Sequence, residues 1–202
     1  MATKPECHFP LPGLVEWSAH SPTARVTLTA HAFSHEGKVI LVDPIEEVPG
    51  VRDAILGLGQ PVLIVLTNGN HERASVAWKK SFNIPTAFSA MATRDISYKP
   101  DVVLETAPSI HGVHPLPLAG AAPGEHALHI PHLKLLILGD ALINLAETGL
   151  SRLPDKYCSD PAALRLSLGP LAKLGFEHCA FAHGTTLVRD GKSRLLPLLQ
   201  PR

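Results

Sequence analysis

Apolar and polar positions along this chain repeat with two periods, and the switches between them mark its elements. "ARVTLTAHAF" (Ala24–Phe33) and "KVILVDPI" (Lys38–Ile45) are β-rich runs separated by the turn-forming "SHEG", which predicts a hairpin whose second strand closes at Asp43 and Pro44. "EEVPGVRDAILGLG" carries acids near a helix start and glycine at its end, and "PVLIVL" is a continuous apolar run suited to a strand covered on both faces. A helical pattern from about Glu72 to Phe82 leads into "IPTAFSA", a short strand. "EHALHI" and "KLLILGD" flank "PHL" as a second hairpin, with His126 and Ala127 on opposite faces. "DPAALRLSLGPLAKLG" has an Asp cap, a proline in its first turn and apolar residues at helical spacing, and "HCAFAHGTTLV" is a closing strand. "HGVHPLPLAGAAPGE" is a long loop. Hairpins mixed with β-α-β crossings predict two sheets packed on each other with helices outside, in one domain spanning residues 1–202.

Charge narrows the partners. The 18 basic and 18 acidic residues balance without a Lys/Arg run, so neither nucleic acid nor an anionic membrane surface is expected, and a small-molecule substrate stays possible. The N-terminal "MATKPECHFPLPG" lacks the apolar core of a signal peptide, and Gly139 and Asp140 break the most apolar segment, so a cytoplasmic protein is expected. "CHFPLPGLVEW" packs either on this fold or on another subunit, which keeps a homo-oligomer open. Cys7, Cys158 and Cys179 are too scattered for a disulfide framework or a cysteine zinc site, and Cys158 would be a nucleophile only with a histidine beside it.

The candidate chemistry lies where strands end. "VLIVLTNGNHERASVAWKKSF" sets Asn68, Gly69, Asn70, His71, Glu72 and Arg73 between an apolar strand and a helix. Asp140 follows another strand and His183 a third, as a site on strand-end loops requires. Asn68 or Asn70 also reads as a helix cap, with Glu72 favourable near the positive helix end. His126 and His132 are expected in solvent, and the pairs His31/His35 and His111/His114 lack a third ligand. No nucleophile elbow, phosphate loop or dinucleotide fingerprint is present.

The order "LVDP", "LTNGNHER", "LAGAAPGE", "ILGDAL", "FAHG" resembles the metallo-β-lactamase superfamily from Val26 to Val188. The resemblance implies an α+β fold, a four-layer αββα sandwich. It also implies that Thr67 leads the metal motif, that its ligand positions fall on Asn68, Asn70, Glu72 and Arg73, that the loop histidine falls near Ala121, and that Gly139–Asp140 and His183 supply the bridging acid and last ligand. Only Asp140 and His183 keep the ligating type, and Glu72 is a conservative change. Asparagine offers zinc a weak neutral oxygen and arginine no lone pair, so dinuclear zinc is not expected. Arg73 instead pairs with Asp140 or holds a substrate carboxylate or phosphate, and Asn68, Asn70 and Glu72 line the substrate side. A shift in loop path that brought His71 beside Asp140 and His183 would hold one divalent metal, zinc, iron or manganese. The activity implied is hydrolysis of a small ester, amide or thioester, with Asp140 and His183 each a ligand or base. The alternative is a non-catalytic binding or scaffold protein that keeps the fold without its chemistry.

Overall fold

A computed structural model describes residues 6–200 of the chain. Its first sheet has the order β1 (Glu6–Leu11), β2 (Leu14–Ser21), β3 (Val26–His35), β4 (Lys38–Val42), β5 (Gln60–Val65), β6 (Thr86–Phe88), β7 (Val102–Val103). The pairs up to β3/β4 are antiparallel and those from β4 to β7 parallel. The N-terminal apolar segment thus becomes an edge hairpin on its own fold. The second sheet has the order β13 (His178–Phe181), β10 (Leu135–Leu138), β9 (His126–Ile130), β8 (His114–Pro117). A separate hairpin, β11 (Leu142–Leu145) with β12 (Gly149–Arg152), follows Asp140; the sequence pattern did not distinguish it from the preceding apolar run.

Period-two alternation assigns each strand face to a layer. On β10, Leu135 and Ile137 enter the core between the sheets, while Leu136 and Leu138 face the opposite way. Ile40, Val42, Leu63 and Val65 meet them from the first sheet. Val39, Leu41, Ile64 and Leu66 turn outward onto Val51 and Ile55 of α1 (Val51–Leu58) and Trp78 of α2 (Ser75–Phe82). Leu136, Leu138 and Phe181 turn onto Leu164 and Leu168 of α3 (Pro161–Leu168) and Leu195 and Leu199 of α4 (Gly191–Leu199). The result is the four-layer αββα sandwich. Among the described residues no helix is long and apolar enough to cross a membrane.

Local chemistry sets the ends of these elements. Asp160 Oδ1 accepts from Ala162 N and Ala163 N, each at 3.0 Å, and Pro161 opens α3. The helix expected from Glu72 begins instead at Ser75. Residues 69–71 form a short 3-10 turn, and Arg73, at φ 42°, is left-handed and cannot continue it. His126, expected in solvent, is buried, and its Nδ1 lies 2.9 Å from Gly124 O. The C-terminal helix α4 went unread because Pro197 interrupts its pattern.

The layer assignment makes Ile137→Ala a cavity in the inter-sheet core, expected to cost roughly 2–5 kcal/mol. Leu166→Ala, on the exposed side of α3, should stay within about 0.5 kcal/mol. Urea unfolding midpoints of the two variants check both values.

Candidate functional site

Strands β4 and β5 run parallel, as do β10 and β13, so Asp43, the segment from Thr67 to Arg73, Asp140 and His183 emerge from strand carboxyl ends onto one rim. Asp43 anchors it. Its backbone takes the left-handed conformation, φ 47°, which aspartate tolerates better than most residues. Its carboxylate accepts from Thr67 N at 2.8 Å and Thr67 Oγ1 at 2.6 Å. Nδ1 of His71 lies 2.9 Å from both Asp43 Oδ2 and Thr67 Oγ1. The Thr67 hydroxyl proton is already given to Asp43, so both partners of Nδ1 accept, and the proton of a neutral His71 must sit on Nδ1. Nε2 is left facing forward.

There it meets Asp140. His71 Nε2 stands 3.2 Å from Asp140 Oδ1 but out of hydrogen-bond alignment, and His183 Nε2 stands 3.0 Å from the same oxygen. Asn70 Nδ2 donates to the other oxygen, Oδ2, at 3.2 Å. The donor atoms of His71, Asp140 and His183 lie within 4.8 Å of one another, and His71 is only 2% exposed. Burial and the Arg73 charge push the His71 imidazole down, but Asp43 and Asp140 outweigh them and raise it to about 9. Burial alone would raise the Asp140 carboxyl; the His71 charge and the contacts with both imidazoles hold it well below the usual range. A proton or a metal cation on Nε2 would each relieve the confrontation of lone pairs.

The other expected site residues take different parts. Arg73 makes no hydrogen bond to Asp140. Its guanidinium, on a half-buried side chain, donates to Thr29 O at 2.8 Å, Asp43 O at 3.0 Å and Ala182 O at 3.4 Å, spanning the rims of both sheets. It is thus engaged with backbone carbonyls rather than in the direct pairing with Asp140 that was expected. Glu72 turns away, its carboxylate accepting from Ser97 N and Ser97 Oγ, so it neither lines the substrate side nor offers a ligand. Asn68 Oδ1 accepts from Asn70 N at 2.8 Å and so caps the 3-10 turn, not the helix it was expected to cap, whose own start at Ser75 has no side-chain cap; its Nδ2 donates to Glu125 at 2.7 Å. That buries Asn68 behind the site, away from substrate. Ala121 packs against the second helical layer.

Two participants were not singled out by sequence reasoning. Asp43 carried a signal, an acid directly after an apolar strand, as Asp140 is. Glu125 carried none. It is 1% exposed, it accepts from Ala141 N at 3.0 Å, and burial followed by the Asp140 charge raises its carboxyl. Gly139 is required by this packing: a Cβ there would stand 2.6 Å from Thr67 Oγ1 and 2.7 Å from Glu125 Oε1.

A second buried carboxylate braces the neighbouring loop. Glu16, 4% exposed, stands opposite His31 across the β2–β3 pair, with His31 Nε2 at 3.2 Å, and accepts from Thr186 Oγ1 beyond His183. Gly184, at φ 109°, lets the chain turn between them, where any Cβ would meet Asn144 O at 1.9 Å. Above the site opens a cleft of about 730 Å³. Asn70, Asp140 and His183 form its floor, and the β2–β3 turn, the β11–β12 hairpin and Leu153–Pro154 supply its walls.

Residues 8–201 match the family model of the metallo-β-lactamase superfamily. No curated protein matches the chain. Among solved structures, the chain is similar to a metallo-β-lactamase from Erythrobacter litoralis with β-mercaptoethanol in its active site, at 16% identity and TM-score 0.74, covering 98% of this chain and 99% of that one. It is similar to a metallo-β-lactamase from Pontibacter korlensis at 16% identity and TM-score 0.74, covering 98% and 100%. FIM-1 from Pseudomonas aeruginosa, in its mono-zinc form, also gives 16% identity and TM-score 0.74, covering 98% and 95%. At such identity the likeness is one of fold.

Two outcomes follow from the site's wiring. Arg73→Ala frees three carbonyls and removes the cation beside Asp43, so it should cost on the order of 3–5 kcal/mol. In double-mutant cycles its coupling to Asp43→Asn should exceed that to Asp140→Asn; the reverse order would mean that the guanidinium serves Asp140 first. The second outcome concerns acid. Burial would raise the Glu16 carboxyl, but its hydrogen bonds to His31, His8 and Thr186 and the His31 charge lower it from 4.5 to about 2. The folded value lies below the unfolded one, so its contribution is full above pH 4.5 and is lost as pH falls through about 2. Glu16→Gln should flatten the acid limb of urea stability measured across that window.

Proposed function

The chain belongs to the metallo-β-lactamase superfamily, and from that premise we propose that it is a hydrolase of a small ester, amide or thioester working with a single divalent cation. The observation that carries this reading is convergence: Nε2 of His71 and Nε2 of His183 both approach Oδ1 of Asp140 at the floor of the cleft. The donor set fits one ion. Two imidazoles and a carboxylate suit zinc, iron or manganese, and the family generally binds zinc. The buried Nε2 of His71 lacks an aligned hydrogen-bond partner, and Asp43 behind the ring is the kind of carboxylate that orients a ligating histidine. When bound, a divalent cation supplies polarisation of an acyl carbonyl and a lower pKa for water.

The remaining work falls to the chain's own residues. Asp43 and Thr67 hold the His71 ring, and Asn70 occupies Oδ2 of Asp140 so that Oδ1 faces the imidazoles. The apolar walls, including Ile143, Leu145 and Leu153, take the body of an acyl group and thin the water around it. In the net reaction the oxygen of water bonds to the acyl carbon and the C–O, C–N or C–S bond breaks. One proton goes to the leaving group and the other to the released acid. A dinuclear centre has no part in this reading, because Asn68 is turned to Glu125 and Arg73 to carbonyls. Cytoplasmic placement and a small-molecule partner, with neither nucleic acid nor membrane, belong to the same proposal.

One observation favours a second reading. A protonated His71 between Asp43 and Asp140 satisfies the cluster with no ion, which suits a non-catalytic binding or scaffold protein. Elemental analysis after purification without chelator separates the two. The hydrolase reading expects about one metal per chain, in keeping with a single closed donor set. It also expects para-nitrophenyl ester hydrolysis lost to dipicolinate and restored by zinc, iron(II) or manganese, and metal content sharply reduced in His71→Ala and Asp140→Asn. A protein that takes up no ion and is indifferent to dipicolinate would support the scaffold instead.

A further inference from the structure

The cleft carries one cation that the fold does not use. Arg25 lies in the turn between β2 and β3, is exposed, and lines the same cleft as Asn70, Asp140 and His183. Its backbone is fixed, with Arg25 N donating to Ser21 O at 2.8 Å and φ at 55°. Its guanidinium has no hydrogen bond, ion pair or ring contact among the described residues. Arg52, Arg73, Arg152 and Arg165 are all engaged, with Glu47, backbone carbonyls or Asp155. Among the residues lining this cleft, Arg25 alone is a permanent cation, and Ile143, Leu145 and Leu153 give the same cleft apolar lining. A free guanidinium beside an apolar wall recognises one kind of small molecule, an apolar body ending in a planar anion that accepts from the guanidinium fork.

We propose that Arg25 is a specificity residue that selects esters or thioesters whose acyl part ends in a carboxylate. The carboxylate sits on the guanidinium, the methylene chain lies along the wall, and the reacting carbonyl reaches the floor at Asp140 and His183. This rests on the hydrolase reading above. The floor does not oppose such a substrate, because the charge of Arg73 lies beside both Asp43 and Asp140 and offsets one of these two carboxylates.

The test pairs two esters of the same leaving group, mono-para-nitrophenyl glutarate and para-nitrophenyl butyrate, on wild type, Arg25→Gln and Arg25→Lys. Loss of a charge-assisted hydrogen bond predicts that the kcat/KM ratio of the anionic to the neutral ester falls about tenfold or more in Arg25→Gln, with partial recovery in Arg25→Lys. An unchanged ratio overturns the proposal. Calorimetric titration with glutarate, which needs no turnover, is the second arm: its Kd should rise by a similar factor in Arg25→Gln. If neither ester is hydrolysed but glutarate binding depends on Arg25, the subsite stands and the hydrolase reading falls. If both esters are hydrolysed with an unchanged ratio and glutarate binding is indifferent to Arg25, the subsite falls and the hydrolase reading stands.

Discussion

The Asp43 carboxylate is the constraint on which the rest of the rim depends. It is buried where the parallel strands β4 and β5 end, and an ionised carboxylate there is costly unless every lone pair finds a donor. Thr67 supplies two, His71 a third, and Arg73 a cation close behind. Meeting that requirement makes His71, rather than Glu72 or Arg73, the side chain of its segment that turns inward. It also settles which nitrogen of the imidazole is presented to Asp140. The left-handed backbone of Asp43 and Arg73 is the local strain accepted in return.

Electrostatics then organise the site in two shells of opposite sense. Behind, Asp43 and Glu125 are carboxyl groups cut off from water, one held ionised by His71 and Arg73 and the other pushed towards its neutral form by burial and by Asp140. In front, Asp140 faces two imidazoles across distances that suit either a shared proton or a cation. Arg73 serves the backbone of both sheets, so its charge is delivered to the site without its donors. A cation therefore already stands beside Asp43 and Asp140. The open cleft lies on the remaining side, and its free cation, Arg25, lines that cleft together with Asp140 and His183.

The layer architecture was legible in the sequence because it depends on short apolar runs and the helical patterns between them. The runs "KVILV", "PVLIVL" and "KLLIL" are apolar on both faces, as central strands covered on each side must be, and Asp140 and His183 stood out as polar residues ending such runs. The helix start at Asp160 was also readable, and Asn68 was readable as a capping residue though not as the cap of the 3-10 turn, since each rests on hydrogen bonds two or three residues along the chain.

What local pattern could not decide was direction. Whether His71 or Glu72 turns inward depends on Asp43, whose side chain reaches across from the neighbouring strand, and on the left-handed residue at 73, which swings Glu72 out to Ser97. The partners of Arg73 lie on three separated segments, and Glu125 meets Asn68 only because β9 passes behind the 3-10 turn. His126 has a polar composition but a buried address for the same reason. The sequence by itself determined the central strands, the helices before α4 to within a turn and the residue types at the rim, because these follow from short-range periodicity. The tertiary structure alone decided which of those residues face one another, because burial imposes long-range pairing on every polar group it removes from water.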